Sequence, residues 1–224
     1  MFLADLYRAA VFKKAVMAVT GIILFGWIAA HMAGNLKIFV GRESFNHYSE
    51  FLRAVGAPLA PESGLLWFAR IVLLVSVVFH VWSATSLTLQ NRRARPVNYR
   101  ERRGIQMDYA ARTMRMSGYL LAVYVVYHLM HLTFGNVHSD FTPADPYSNV
   151  VKGFQVLPVS LVYIVANVLL GLHLYHGLWS MFQSLGWSHP VYNRWRRHFA
   201  VTFAILVSVG FISIPIAVLT GLVS

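Results

Sequence analysis

Residues 156–182 read VLPVSLVYIVANVLLGLHLYHGLWSMF, with no Lys, Arg, Asp or Glu. The stretch is longer than the roughly 20 residues that cross about 30 Å of hydrocarbon as a helix. Two histidines, His173 and His176, nevertheless sit inside it. An ionisable side chain in a bilayer is costly, so it faces the interior of a helix bundle, where it pairs or holds a ligand. Four more apolar stretches lie at 15–39, 65–89, 114–136 and 199–222, and the first three of these carry His31, His80 and His128 deep within them. The pattern predicts an all-α membrane protein of five transmembrane helices, one domain over 1–224, whose first four helices bundle around a shared buried ligand.

Composition agrees. The 224 residues are 57% hydrophobic and 12% charged, with a mean hydropathy of +0.56, and a soluble domain of this length would need more charge to cover its surface. A net charge of +11 could suit nucleic acid, but the basic residues cluster at the ends of apolar stretches, which argues against that partner. Arg8, Lys13 and Lys14 precede the first helix, eight arginines run from Arg92 to Arg115, and Arg194, Arg196 and Arg197 precede the fifth helix. The other side holds Lys37, Arg42, Arg53, Arg70 and Lys152. The positive-inside rule then puts the N-terminus in the cytoplasm and the C-terminus outside.

The opening MFLADLYRAAVFKK lacks a short apolar core with a small-residue cleavage site, so the first helix is expected to be retained. With no cysteine there are no disulfides, no thiolate-held iron–sulfur cluster and no covalent haem attachment in this chain. In the first outer connection Phe45, Tyr48, Phe51, Leu52 and Val55 recur at helical spacing, predicting a short surface helix. The connection from 134 to 155, with Pro143 and Pro146, reads as an irregular loop.

Depth sorts the histidines. At about 1.5 Å per residue, His31 lies some 17 residues after Lys14 and His128 some 13 after Arg115, both toward the outer half. On the inward-running second and fourth helices, His80 and His173 fall about 15 or more residues past the outer ends, toward the cytoplasmic half. Two pairs at two depths are what two stacked haems require, each iron taking neutral imidazoles on both faces. Gly21 stands ten residues before His31, and Gly118 ten before His128. Either these glycines let an inner haem approach the helix, with the Thr20 and Ser117 hydroxyls reaching a propionate, or they serve helix packing. His131 and His176 lie one turn beyond His128 and His173, so spacing leaves two candidate ligands on each of those helices. His47, His138, His189 and His198 lie in or beside connections, where a solvated histidine is the default.

The segments AAHMAGN around His31, VVFHVW around His80, VYHLMH around His128 and GLHLYHGLWSMFQSLGW from Gly171 to Trp187 together resemble the di-haem cytochrome b membrane subunit of the succinate dehydrogenase and fumarate reductase family, over all five helices. In that family the fourth-helix ligand stands four residues before a Gly-Leu-Trp-like triplet, which His173 does with Gly177, Leu178 and Trp179. The third-helix ligand precedes the helix end by about two turns, which selects His128. The resemblance then implies an outer haem b between His31 and His128 and an inner one between His80 and His173. It leaves His131 and His176 as neighbours that adjust the site.

The same resemblance implies a flavoprotein subunit and an iron–sulfur subunit on the cytoplasmic side, and membrane quinone, menaquinone at family level, as electron partner. The basic connection from Arg92 to Arg115 would dock an acidic partner surface or anionic lipid. A quinone site near the outer haem needs a proton acceptor, for which Glu50 and His47 are the candidates, and Arg70 is placed to pair with a haem propionate. Two other classes share some of these features: the di-haem anchor of a hydrogenase or formate dehydrogenase, and a haem-free transporter with a histidine proton relay.

Overall fold

The computed structural model describes residues 9–94, 109–187 and 189–224, and these are helical, with no strand among them. The helices are α1 (Ala10–Asn35), extended by a 3-10 turn at Leu36–Val40, then α2 (Arg42–Ala54), α3 (Gly64–Arg93), α4 (Tyr109–Leu132), α5 (Pro146–Gln155), α6 (Leu157–Ser184) and α7 (Pro190–Leu219). The middle of the basic connection between α3 and α4, and the N-terminal residues through Arg8, lie outside the described residues.

Four spans are long and apolar enough to cross a membrane: Ala10–Val40, Gly64–Arg93, Leu157–Ser184 and Asn193–Leu219. Their outward faces are bare aliphatic and aromatic surface, including Ile71, Leu74, Val78, Val165, Ile205 and Val209, all more than a third exposed. Water would not tolerate so much apolar area and lipid does, so this is a multi-pass membrane protein. The expected fifth span, α4, has 24 residues, but Tyr119, Tyr124, Tyr127, His128 and His131 dilute its hydropathy. The residues that carry its polar chemistry are those that weaken its membrane signature.

Helix α1 packs along α3, α4 along α6, and α6 along α7, whereas α3 barely meets α4. The first two pairs therefore face each other across a loosely filled interior, with α7 closing one side. At the end where α1 stops, α2 and α5 form a cap with a core of Ile38, Phe45, Tyr147, Val151, Phe154, Tyr163, Ile214 and Val218.

The cap departs from the expected irregular loop. Asp145 accepts the Ser148 amide at 3.2 Å, and Pro146 occupies the first turn, so α5 begins with a capping carboxylate followed by a residue that needs no amide partner. The Asn46 side-chain amide of α2 donates to Asp145 at 2.8 Å, and Arg42 pairs with the same carboxylate at 3.3 Å. Helix α7 also starts earlier than its apolar run, at Pro190, with His189 accepting the Val191 amide. Its basic residues Arg194, Arg196 and Arg197 are thus helical, and apolar patterning alone could not register that turn.

Candidate functional site

Helices α1 and α4 bring His31 and His128 together, ring centroids 5.9 Å apart and nearly perpendicular. Helices α3 and α6 bring His80 and His173 together at 6.3 Å. Each pair joins one helix of the α1/α3 pair to one of the α4/α6 pair, so both contacts bridge the interior rather than lying within a packed seam. All four rings keep partial exposure. Spacings of 5.9 and 6.3 Å would let the two imidazoles of each pair hold one metal ion between them.

The His80 and His173 rings are held in the same way. The Thr20 hydroxyl lies 3.1 Å from Nδ1 of His80, and the Ser117 hydroxyl 3.5 Å from Nδ1 of His173. Thr20 also donates to the Val16 carbonyl and Ser117 to that of Met114, which fixes both hydroxyls against their own helices. The adjacent glycines make room: a Cβ on Gly21 would stand 3.6 Å from Cε1 of His80, and one on Gly118 3.3 Å from Cε1 of His173. The glycines and hydroxyls that the sequence offered to a passing macrocycle and its propionate therefore meet the inner imidazoles themselves. With Nδ1 engaged, Nε2 is the nitrogen left with which each ring would hold a metal.

The His31–His128 pair is walled by aromatic rings. Trp27 stacks on His31 at 5.6 Å, Phe211 packs tilted against it at 5.9 Å, and Tyr124 leans on His128. The Tyr163 hydroxyl stands 3.3 Å from Nδ1 of His128 and 2.9 Å from Nδ1 of His131. His131 is only 2% exposed and stacks on His138. Sequence reasoning misses Tyr163 and reads His138 as a solvated connection residue. Tyr163 lies 35 positions from His128 and meets it through the rotation of α6 against α4, which no spacing rule supplies.

Other candidates stand elsewhere. His176 is half-buried on α6 one turn past His173. Glu50 and His47 are exposed on α2. Of the aromatic residues beside them, Phe45 packs edge-on against Tyr147, Tyr48 covers Gly34, and Phe51 is left exposed. Arg70 is exposed near the start of α3, its guanidinium 4.9 Å from the centre of the Trp67 ring. At the opposite end a cleft of about 420 Å³ opens between α3 and α4, lined by Arg92, Arg115 and the paired Thr85 and Tyr119 hydroxyls.

Among the described residues no three His, Cys, Asp or Glu side chains gather as a metal site. A bis-histidine haem asks for two axial ligands per iron, and the two pairs fit that requirement. Outside the membrane-spanning segments two carboxyls are perturbed. The Lys152 ammonium, by hydrogen bond and by charge, holds Asp140 below its ordinary range. Burial works to raise Asp145, but bonds from Asn46 and Ser148 and the charge of Arg42 outweigh it and hold the group low.

No curated protein and no solved structure matches the chain. The family model of the succinate dehydrogenase/fumarate reductase transmembrane subunit matches residues 91–212, from the end of α3 through most of α7 and more than half of the chain. On that match the chain belongs to the succinate dehydrogenase/fumarate reductase transmembrane subunit family.

Proposed function

We propose that this chain is the di-haem membrane anchor of a succinate:quinone oxidoreductase, a single five-helix domain in which α4 is the fifth span and electrons pass between a partner's iron–sulfur clusters and membrane quinone. The observation that carries this reading is the meeting of His31 with His128 and of His80 with His173 across the interior, at 5.9 and 6.3 Å. His31 and His128 would hold the outer haem b, and His80 and His173 the inner one. Bound there, the haems would supply one-electron iron chemistry.

The chain's own groups orient these ligands. Thr20, Ser117 and Tyr163 each engage an Nδ1, which fixes ring rotation and keeps Nε2 available. Trp27, Tyr124 and Phe211 exclude water from the outer pair. His131 and His176 adjust the site without ligating. Arg70 would meet a haem propionate, and Glu50 and His47 would accept protons from a quinol, menaquinol at family level, near the outer end of the bundle.

The concentration of arginine at the α3–α4 end supports a cytoplasmic N-terminus, an outer C-terminus and a bacterial cytoplasmic membrane. Arg92, Arg93 and Arg115 belong to the basic connection that would receive the iron–sulfur and flavoprotein subunits. The test is purification of the complex through a tag on this chain. Co-purifying flavoprotein and iron–sulfur subunits, with b-type absorbance reducible by succinate, are expected. Absorbance without succinate-linked reduction would move the chain to another respiratory enzyme, and no absorbance would remove the haem reading.

A further inference from the structure

Arg196 is a cation buried without a counter-charge. It lies on the inward stripe of α7, where positions 196, 200, 203 and 207 recur a helical turn apart, and Ala200 and Val207 of that stripe are fully buried. Arg196 itself is only 2% exposed, whereas Arg194 and Arg197 beside it are exposed. Its guanidinium lies 4.7 Å from the centre of the Trp179 ring and 5.9 Å from that of Phe182, both on α6. One guanidinium nitrogen, Nη2, donates to the Asn193 side-chain oxygen, while Nε and Nη1 are buried with no hydrogen-bond partner.

Two aromatic faces and one neutral amide do not balance such a charge. The rings favour the cation, but an arginine keeps its proton and its donors lie in the guanidinium plane, so a buried one calls for an anion to accept from them. None is at hand among the described residues. Glu43, Glu50, Glu62, Asp140 and Asp145 all lie on α2 or in the connections around it and α5, at the end where α7 finishes rather than begins. Lys13, the other buried cation at the end where α7 begins, donates to Gln90 at 3.4 Å. Burial also restricts the source of the anion, because a lipid headgroup or a neighbouring subunit cannot touch Arg196 while α7 stays in place. A group seated inside the bundle can. Trp179 stands six residues beyond His173 on α6, about 9 Å along the helix axis, and Leu174, next to His173, packs against Ala204 and Val207 of α7. The α6–α7 seam thus runs from one ring of the His80–His173 pair to the unpartnered guanidinium.

We propose that Arg196 binds a propionate carboxylate of the haem held by His80 and His173, so that this haem turns its propionate edge to the start of α7. The proposal rests on the reading of those two histidines as the inner haem's ligands. Trp179 and Phe182 keep water from the ion pair and fix the plane of the guanidinium. A positive charge held there also favours the arrival of an electron at the inner haem, since the added negative charge meets it through a low-dielectric interior. Removing it makes that haem harder to reduce.

The test is redox titration of the purified complex carrying Arg196→Gln or Arg196→Lys, followed by b-haem absorbance and by infrared difference spectra of haem isotopically labelled at its propionate carboxyls. A hydrogen bond to a charged group is strong enough for about a tenfold change in the reduced-to-oxidised ratio, equivalent to about 59 mV for one electron. Arg196→Gln should make the inner component harder to reduce by about that factor, shift its labelled carboxylate band, and leave the outer component in place. Arg196→Lys, which keeps the charge, should recover most of the loss. An unchanged inner potential in Arg196→Gln overturns the proposal. So does a shifted potential with an unmoved labelled band, which would give the arginine to a lipid phosphate or to a carboxylate of the chain outside the described residues, Asp5, Glu101 or Asp108. If Arg196→Gln releases the inner haem, retention in Arg196→Lys supports the charge pairing, and equal loss from both makes the role one of packing and overturns it. A wild-type complex without b-type absorbance would instead defeat the haem reading on which the proposal stands.

Discussion

Thr20 holds its hydroxyl 3.1 Å from Nδ1 of His80, reaching from α1 to α3. Ser117 repeats the arrangement from α4 to α6 on His173, at 3.5 Å. In each case the hydroxyl residue precedes a glycine that stands ten positions before an outer histidine, so one local pattern serves both depths. The hydroxyl and glycine seat the inner ring, and the histidine three turns on supplies half of the outer pair.

Thr20→Val removes the hydrogen bond at nearly constant volume. A single such bond is worth about 1 kcal/mol net, or roughly 40 mV for a one-electron couple. The inner haem's potential should therefore shift by tens of millivolts while the outer one stays put, as redox titration at fixed pH would register. Equal shifts at both haems would mean that Thr20 does not act through His80.

The two glycines should respond differently to alanine. A methyl on Gly21 meets His80 at an ordinary contact distance of 3.6 Å, whereas on Gly118 it meets His173 at 3.3 Å and the ring must give way. Gly118→Ala should broaden or shift the inner low-spin signal and lower haem retention, costing about 1 kcal/mol of overpacking strain. Gly21→Ala should leave the spectrum close to wild type. The reverse order would place the tighter passage on α1.

Replacing His131 or His176 with glutamine should leave both haems low-spin and six-coordinate, because neither belongs to the pairs that meet across the interior. Electron paramagnetic resonance checks this directly. A high-spin signal in either variant would show that a ligand had been removed.

The cap formed by α2 and α5 should loosen in acid. Asp145 is held below its ordinary 3.8 in the folded chain, so its stabilising bonds to Asn46, Ser148 and Arg42 are fully present above that value and are lost as pH falls through the depressed one. Amides of α2 and α5 should lose hydrogen-exchange protection below about pH 4, and Asp145→Asn should show that loss at neutral pH. Protection unchanged by either treatment would mean that apolar packing alone holds the cap.

Glu50→Gln tests the quinone assignment. If Glu50 accepts the quinol proton, quinone-linked turnover should fall by roughly 100-fold while both haems remain reducible by succinate. Full activity would locate the acceptor elsewhere.

Much of this arrangement was legible in the sequence because membrane helices announce themselves by length and apolarity, and because a buried histidine is conspicuous against that background. The helical rise sorts His31 and His128 from His80 and His173 by depth, but it leaves His131 and His176 as equal candidates, between which only the resemblance chooses. What escaped depended on rotation or on local capping. Tyr163 reads as one aromatic residue among many until α6 turns it toward α4. His138 sits in a loop, and its place beside His131 depends on the missing side chain of Gly153. Helix α5 is hidden by its prolines, although Asp145-Pro146 is itself a helix-start signal. Gly21 and Gly118 were singled out by spacing, but which surface they admit is a matter of how the helices face each other.

The most direct measurement is haem content per chain in the purified complex, by the pyridine haemochrome method against quantified protein. Two non-covalent b haems per chain are expected, one for each histidine pair. One haem would leave one of the pairs without its ligand, and none would contradict the electron-carrying role altogether.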